Sequence, residues 1–448
     1  MANLPLNPAG YGNSPYQPYS SFAGDEIYIS LDTLADYGLI KQSSVRNFNK
    51  FSDAVDFEGV RAFKEPYFRK AYKTFLKNFH QFEKEYQLFC STAEWLYPYA
   101  VFIVLKRKNE NKPWQEWKKE ERDWIDSRQL SLEDMEDEIK YHQFLQFIFY
   151  KQWNDIKKYA EKHHVKILGD IPFYVGLDSA DVWQYKNQFL LDENGYPSFV
   201  AGVPPDYFSE TGQRWGNPIY DWNIMKKNRY DFWMKRLAWN AQQFDIIRLD
   251  HFRAFDTYWK IPSSCPTAVE GEWILGPAYD FFDEVYKCFP DIHLVAEDLG
   301  DLRPQVLKLR DFYHLKGMHV IQFEMQPKLL KKSRKEEVIL YTGTHDNSTV
   351  RGWYKEIDDL DKKMCMDYIN SDDSDEENIS WNLICIAMRS VADTCVIPVQ
   401  DFLGLDESAR INIPSTLGDN WKWRMKPDCF SEELIEKIKK LTKIYGRI

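Results

Sequence analysis

The sequence predicts an α/β protein built on parallel strands, and two observations predict it. Six short apolar runs recur after residue 165, separated mostly by segments of helical length, which is the alternation that βαβ units require. Each run closes on a carboxylate. In parallel sheets and barrels the functional groups gather at the carboxyl ends of the strands, so the six acids are expected to converge on one face. The most telling run is Ile246-Ile247-Arg248-Leu249-Asp250-His251-Phe252-Arg253, in which a β-branched stretch ends in a carboxylate boxed between two arginines. Ionised Asp is rarely buried unless paired, so Asp250 is expected to be either held by its arginines or open to a cleft.

In chain order, the opening thirty residues are rich in Pro, Gly, Tyr and Ser and read as loop. Residues 11–17 alternate tyrosines with turn residues, as either an untidy terminus or a ligand-contacting loop would. Apolar residues at three- and four-residue spacing predict helices over 57–90, 93–108 and 132–163. The six strands follow at 165–170, 246–250, 292–297, 318–324, 338–346 and 394–401. The connection 193–223 is long enough to be a binding loop. The acidic run 370–378 reads as a solvated loop, and an amphipathic helix closes the chain at 431–445.

The 448 residues, 44% hydrophobic, suffice for one large core or two ordinary ones. A net charge of −11 argues against nucleic acid or an anionic membrane as partner and favours a neutral or cationic ligand. Seven scattered cysteines without a Cys-x-x-Cys pair suit free thiols in a reducing compartment. The N-terminus lacks the basic start and apolar core of a signal peptide, and the longest uncharged apolar run, 95–105, is too short to span a bilayer. A soluble, cytoplasmic protein is expected. Aromatics make up 16% of the chain, more than packing requires; exposed ones are natural platforms for sugar rings.

Three strand ends stand out: Asp250, Glu297 in Ala-Glu-Asp-Leu-Gly and Asp346 in Thr-His-Asp-Asn. Three carboxylates with no metal cluster point to acid/base and nucleophilic work on a glycosidic bond. Coordination of Mg²⁺ or Ca²⁺ is the other use of such a set, but a metal-phosphate site should bring more Lys and Gly close by. In a retaining enzyme Asp250, kept ionised by Arg248, attacks the anomeric carbon, and Glu297 protonates the leaving oxygen and then deprotonates the acceptor. Asp346 and His345 hydrogen-bond the sugar as its ring flattens. None of these roles needs a cofactor.

The same residues carry a resemblance. Gly-Asp-Ile-Pro-Phe-Tyr-Val (169–175), Gly-Val-Pro-Pro-Asp-Tyr-Phe-Ser (202–209), Gly-Gln-Arg-Trp-Gly-Asn-Pro (212–218), Ile-Arg-Leu-Asp-His-Phe-Arg (247–253), Ala-Glu-Asp-Leu-Gly (296–300) and Thr-His-Asp-Asn (344–347) together resemble the amylomaltase, or disproportionating-enzyme, family. Tyr-Gly-Asn-Ser-Pro-Tyr-Gln (11–17), Asn412 and Gly-Asp-Asn-Trp-Lys-Trp-Arg (418–424) extend it over nearly the whole chain. The resemblance implies a single catalytic (β/α)₈ TIM-type barrel over 1–448, with a helical insertion at 56–140 and an active-site loop region at 193–223. It implies a 4-α-glucanotransferase acting on maltooligosaccharides and on glucans derived from starch or glycogen. By that resemblance Asp250 matches the nucleophile, Glu297 the acid/base and Asp346 the transition-state stabiliser. Tyr16, Asp170, Asp206, Gln213, Trp215, Arg248, His251, His345, Asn347 and Asn412 are expected to contact substrate, whereas Trp421 and Trp423 read as core.

The chain departs from the family pattern in three places. Family members carry a further strand and helix before Leu-Pro-Leu-Asn-Pro, so the resemblance implies a barrel whose first strand is missing here, with a remnant of the second at 4–6 and two exposed edges. That arrangement implies a truncated gene model or a poorly stable protein. Ala254 stands where the family usually has Gly, and Ser348 where it often has Asp. Two rivals to glucan transfer follow: an α-amylase-like hydrolase, in which water intercepts the intermediate, and a non-catalytic glucan-binding protein.

Overall fold

A computed structural model describes residues 1–45, 52, 54–205, 209–325, 338–369, 378–416 and 418–447. Its strands, in chain order, are β1 (Leu168–Ile171), β2 (Phe199–Val203), β3 (Gln213–Pro218), β4 (Ile246–Leu249), β5 (Thr257–Pro262), β6 (Glu272–Leu275), β7 (Leu294–Ala296), β8 (Gly317–Val320), β9 (Val338–Tyr341) and β10 (Thr394–Val396). The chain folds into two compact units, Met1–Phe51 with Asp56–Leu294, and Ser52–Val55 with Val295–Ile448.

In the first unit β1 and β4 run parallel, with Asp170 opposite Arg248 and Gly169 opposite Ile247. Partners in a parallel ladder share a face, so this register brings the Asp170 carboxylate beside the Arg248 guanidinium. Gly169 is required here, because a Cβ would lie 2.2 Å from the Phe244 ring. The remnant strand expected at 4–6 does not form. Among the described residues this segment pairs through one bridge, Ala2 with Leu168, in which Leu168 donates to the Met1 carbonyl at 2.8 Å and Asn3 to the Leu168 carbonyl at 2.9 Å. Pro5 follows, and having no N–H it cannot extend a ladder.

Helices Phe57–Lys77, Glu83–Thr92, Leu96–Lys108 and Glu136–Lys162 occupy the stretches whose periodicity predicted them. Asp56 starts the first by accepting from the Gly59 N–H at 2.9 Å. Much of their packing is aromatic: Phe75 meets Phe144 at 4.9 Å, and Trp239 meets Trp95 at 5.2 Å and Tyr150 at 5.0 Å. Among the described residues no single helix is long and apolar enough to cross a membrane.

The region 193–223 is more ordered than a long loop. β2 and β3 pair antiparallel and continue through β5 to β6, in the order β3-β2-β5-β6. β3 reads Gln-Arg-Trp-Gly-Asn-Pro, where Gly and Pro mask any alternation of apolar and polar residues.

In the second unit β8, β9 and β10 form a parallel sheet in the order β10-β9-β8. Ile321, Val338, Leu340, Val350, Leu383 and Ile386 pack its core. The idea that all six runs close on a carboxylate needs correction at two of them. Glu324 ends the helical turn Ile321–Glu324, and Asp401 lies within another, Val399–Phe402. Asp401 is buried and accepts from the Thr342 hydroxyl at 2.6 Å and the Val350 N–H at 2.9 Å, so it ties two elements of the core together. Burial pushes its carboxyl up to about 6.

Candidate active site

Asp250 is the first residue beyond β4, and its carboxylate is 29% exposed. Arg248 Nη2 lies 3.6 Å from Asp250 Oδ1. The guanidinium is in turn fixed by Asp170, to whose Oδ1 it donates from Nε at 2.9 Å and to whose Oδ2 from Nη2 at 2.5 Å. Such a fork is rigid as well as strong. Tyr16 closes the web from the N-terminal loop, its hydroxyl donating to Asp170 Oδ2 at 2.6 Å and accepting from Arg248 Nη2 at 3.3 Å. Asp170, expected to touch substrate, is buried and engaged on both oxygens by Arg248 and Tyr16.

His251 adopts left-handed backbone, φ 48° and ψ 47°, which turns the chain sharply after Asp250. Desolvation, with the Arg253 charge adding to it, lowers its imidazole to about 4, so the ring is neutral at physiological pH. Trp215 meets this imidazole edge-on at 4.9 Å, and Trp215 Nε1 donates to the Gln213 side-chain oxygen at 3.1 Å. Gln213 and Trp215 are two apart on β3 and therefore share a face. Gln17 donates to the Trp215 carbonyl at 3.2 Å, linking the N-terminal loop to that strand. Asp206, with Tyr207 and Phe208, lies outside the described residues, as do residues 370–377 of the acidic run.

In the second unit Glu297 directly follows β7, and Glu297 Oε1 accepts from the Leu299 N–H at 3.2 Å. Its neighbour Asp298 has a structural post: it accepts from the Met318 N–H at 2.7 Å and pairs with Arg310. Asp346 belongs to the loop after β9 and its side chain is 46% exposed. Asn412 Nδ2 donates to Asp346 Oδ1 at 2.7 Å, and His345 Nε2 lies 3.3 Å from the same oxygen. Asn347 is partly buried and steadies its own loop, its side-chain oxygen accepting from the N–H and hydroxyl of Thr344 at 2.9 and 2.8 Å. The structure thus joins His345, Asp346 and Asn412 as one cluster.

Sequence reasoning missed two members of that cluster. Arg410 donates to the Asp346 carbonyl at 2.7 Å and to the Ser348 hydroxyl at 3.0 Å, so the serine takes part in holding the loop. Nothing in the local sequence marks Arg410. Trp421, read as core, places its ring 5.7 Å from His345 and is only partly buried. The tryptophan pair Trp421 and Trp423 was the available signal.

Known proteins bear on this arrangement. The family model described as 4-alpha-glucanotransferase matches residues 1–430. The chain is 40% identical to a 4-alpha-glucanotransferase of Synechocystis sp. over 456 residues, covering 99% of this chain and 90% of that protein. It is also 40% identical to one of Thermus thermophilus, covering 96% of this chain and 88% of that one. Among solved structures, an amylomaltase from Streptococcus agalactiae in complex with acarbose superposes with a TM-score of 0.93 at 32% identity, covering 99% of this chain and 91% of the other. Matches of this extent, on a chain that carries Asp250 and Glu297 directly after β4 and β7 and Asp346 in the loop after β9, show that it belongs to the 4-alpha-glucanotransferase family.

Proposed function

We propose that the chain moves α-1,4-glucan segments from one maltodextrin to another with retention of configuration, through a covalent glycosyl-enzyme. The observation that carries this reading is the web around Asp250: a half-open carboxylate beside a guanidinium pinned by Asp170 and Tyr16. An adjacent fixed cation keeps a carboxylate ionised and aimed, which is what a nucleophile at an anomeric carbon needs. Asp250 attacks that carbon while Glu297 gives its proton to the departing oxygen, and the C–O bond electrons leave with the first glucan. Glu297, now ionised, takes the proton of the incoming sugar hydroxyl, whose oxygen displaces Asp250. Asp346, held by Asn412 and beside His345, hydrogen-bonds the ring hydroxyls more strongly as positive charge develops. Trp215, Gln213, His251 and Asn347 line the donor and acceptor positions, and Asp170 contributes through Arg248.

The fold that serves this chemistry is a (β/α)₈ barrel forming a single catalytic domain, with 56–140 as its helical insertion and 193–223 beside the cleft. The six parallel strands, with helices between them, support that reading. Maltooligosaccharides and glucans from starch or glycogen are the substrates, met in the cytoplasm. Incubation with maltotriose tests the reaction: glucose accompanied by maltodextrins longer than the substrate is expected, whereas glucose and maltose alone would show that water is the acceptor. Acarbose, bound in the S. agalactiae neighbour, is expected to inhibit competitively.

A further inference from the structure

The chain keeps its tryptophans largely out of water. Of its sixteen tryptophans Trp273 is the most exposed, at 40%. It sits on β6, the edge strand of the antiparallel sheet, opposite Trp259 on β5, and the two rings meet at 5.2 Å and 62°. The guanidinium of Arg253 lies 3.9 Å from the centre of the Trp273 ring. Stacking on a cation that never loses its charge holds the indole in one orientation. Leu275, two residues on and therefore on the same face, is 71% exposed, while Gly271, two residues before, adds no side chain.

This ledge is close in the chain to the proposed nucleophile. Arg253 belongs to the turn Phe252–Phe255, three residues beyond Asp250, so the two α-carbons are at most about 11 Å apart. The ledge is also narrow. One ring and one leucine fall well short of the hundreds of Å² of apolar surface that a protein partner covers. A sugar needs only a ring: its C–H face stacks on the indole and its hydroxyls stay in water.

We propose that Trp273, backed by Arg253, is a stacking platform for the α-1,4-glucan chain beyond the sugars next to the reacting bond, and that it favours long glucans over short ones. The proposal deepens the glucan-transfer reading and rests on it. The test compares kcat/KM for amylose and for maltotriose in wild type, Trp273→Ala and Trp273→Phe. The amylose-to-maltotriose ratio is expected to fall about three- to tenfold in Trp273→Ala, chiefly through KM for amylose, and to stay within about twofold in Trp273→Phe, which keeps a ring. Leu275→Gln, on the same ledge, is expected to move the ratio in the same direction by less, and it serves if Trp273→Ala does not fold. An unchanged ratio in folded Trp273→Ala and Leu275→Gln overturns the platform. A wild type that forms no longer maltodextrins from maltotriose overturns the transfer reading instead. The platform then stands if amylose in a native gel retards Trp273→Ala less than wild type, and falls if it retards both equally.

Discussion

The carboxylate of Asp250 faces a guanidinium that a buried acid already holds, whereas the carboxylate of Asp346 is steadied by an amide from 66 residues further along the chain and stands half in water. The first cluster is built from neighbouring strands, and its aim is set by the β1–β4 register. The second is built from a loop, and its aim is set by side chains of Asn412 and Arg410 that reach the loop from outside. The difference teaches where each cluster is vulnerable: losing the cation of the first should cost stability and chemistry together, whereas losing the amide of the second should cost chemistry while the fold survives.

The largest effect bears on both units. Asp250→Asn is expected to lower kcat for maltotriose disproportionation by about 10⁴-fold or more, and Glu297→Gln by about 10²–10⁴-fold, with folding unchanged by circular dichroism. Rates within tenfold of wild type would remove these residues from the chemistry. Next, Arg248→Met leaves Asp170 buried without its cation; an unfolding free energy about 3–5 kcal/mol lower in urea melts is expected, with kcat down at least about 100-fold. Asn412→Ala is the counterpart in the other cluster: kcat falls about tenfold while the melting temperature moves by no more than a few degrees. Equal loss of stability in the two variants would erase the contrast.

The contrast explains what could be read in the chain beforehand. The strand at 246–249 was legible because β-branched residues end abruptly at a charge, and Asp250, Glu297 and Asp346 were legible because they end or follow such runs. Asp170 was legible as a site residue but its partners were not, since only the parallel register sets it against Arg248. β6 escaped notice because Glu272, Trp273 and Leu275 are all exposed, which leaves no alternating face to detect. Arg410 and Trp421 escaped because their tasks are defined by a loop far away in sequence, and Trp421 reaches its place through backbone of φ 66°.

The smallest effect concerns the buried acids of the two units. Asp181 in the first and Asp401 in the second are each raised by burial to about 6, from 3.8. A carboxyl raised on folding binds its proton more tightly in the native state, so its contribution is complete below about pH 4 and is lost as pH rises through about 6. Asn can keep both Asp401 contacts, accepting from the Val350 N–H and donating to the Thr342 hydroxyl. Asp401→Asn is therefore expected to flatten the fall in urea-derived stability between pH 4 and 7 by about 1–2 kcal/mol. An unaltered slope would assign that fall to Asp181 or to other groups.

The imidazole of His251 has a further consequence. Held near 4 at the shoulder of Asp250, it neither stores nor releases a proton at the pH where the enzyme works. On the proposed mechanism each half-reaction has a single hydrogen in flight, the one on Glu297. In mixtures of H₂O and D₂O the rate of transfer should fall in a straight line with deuterium content, where a two-proton relay through the histidine would bow the plot.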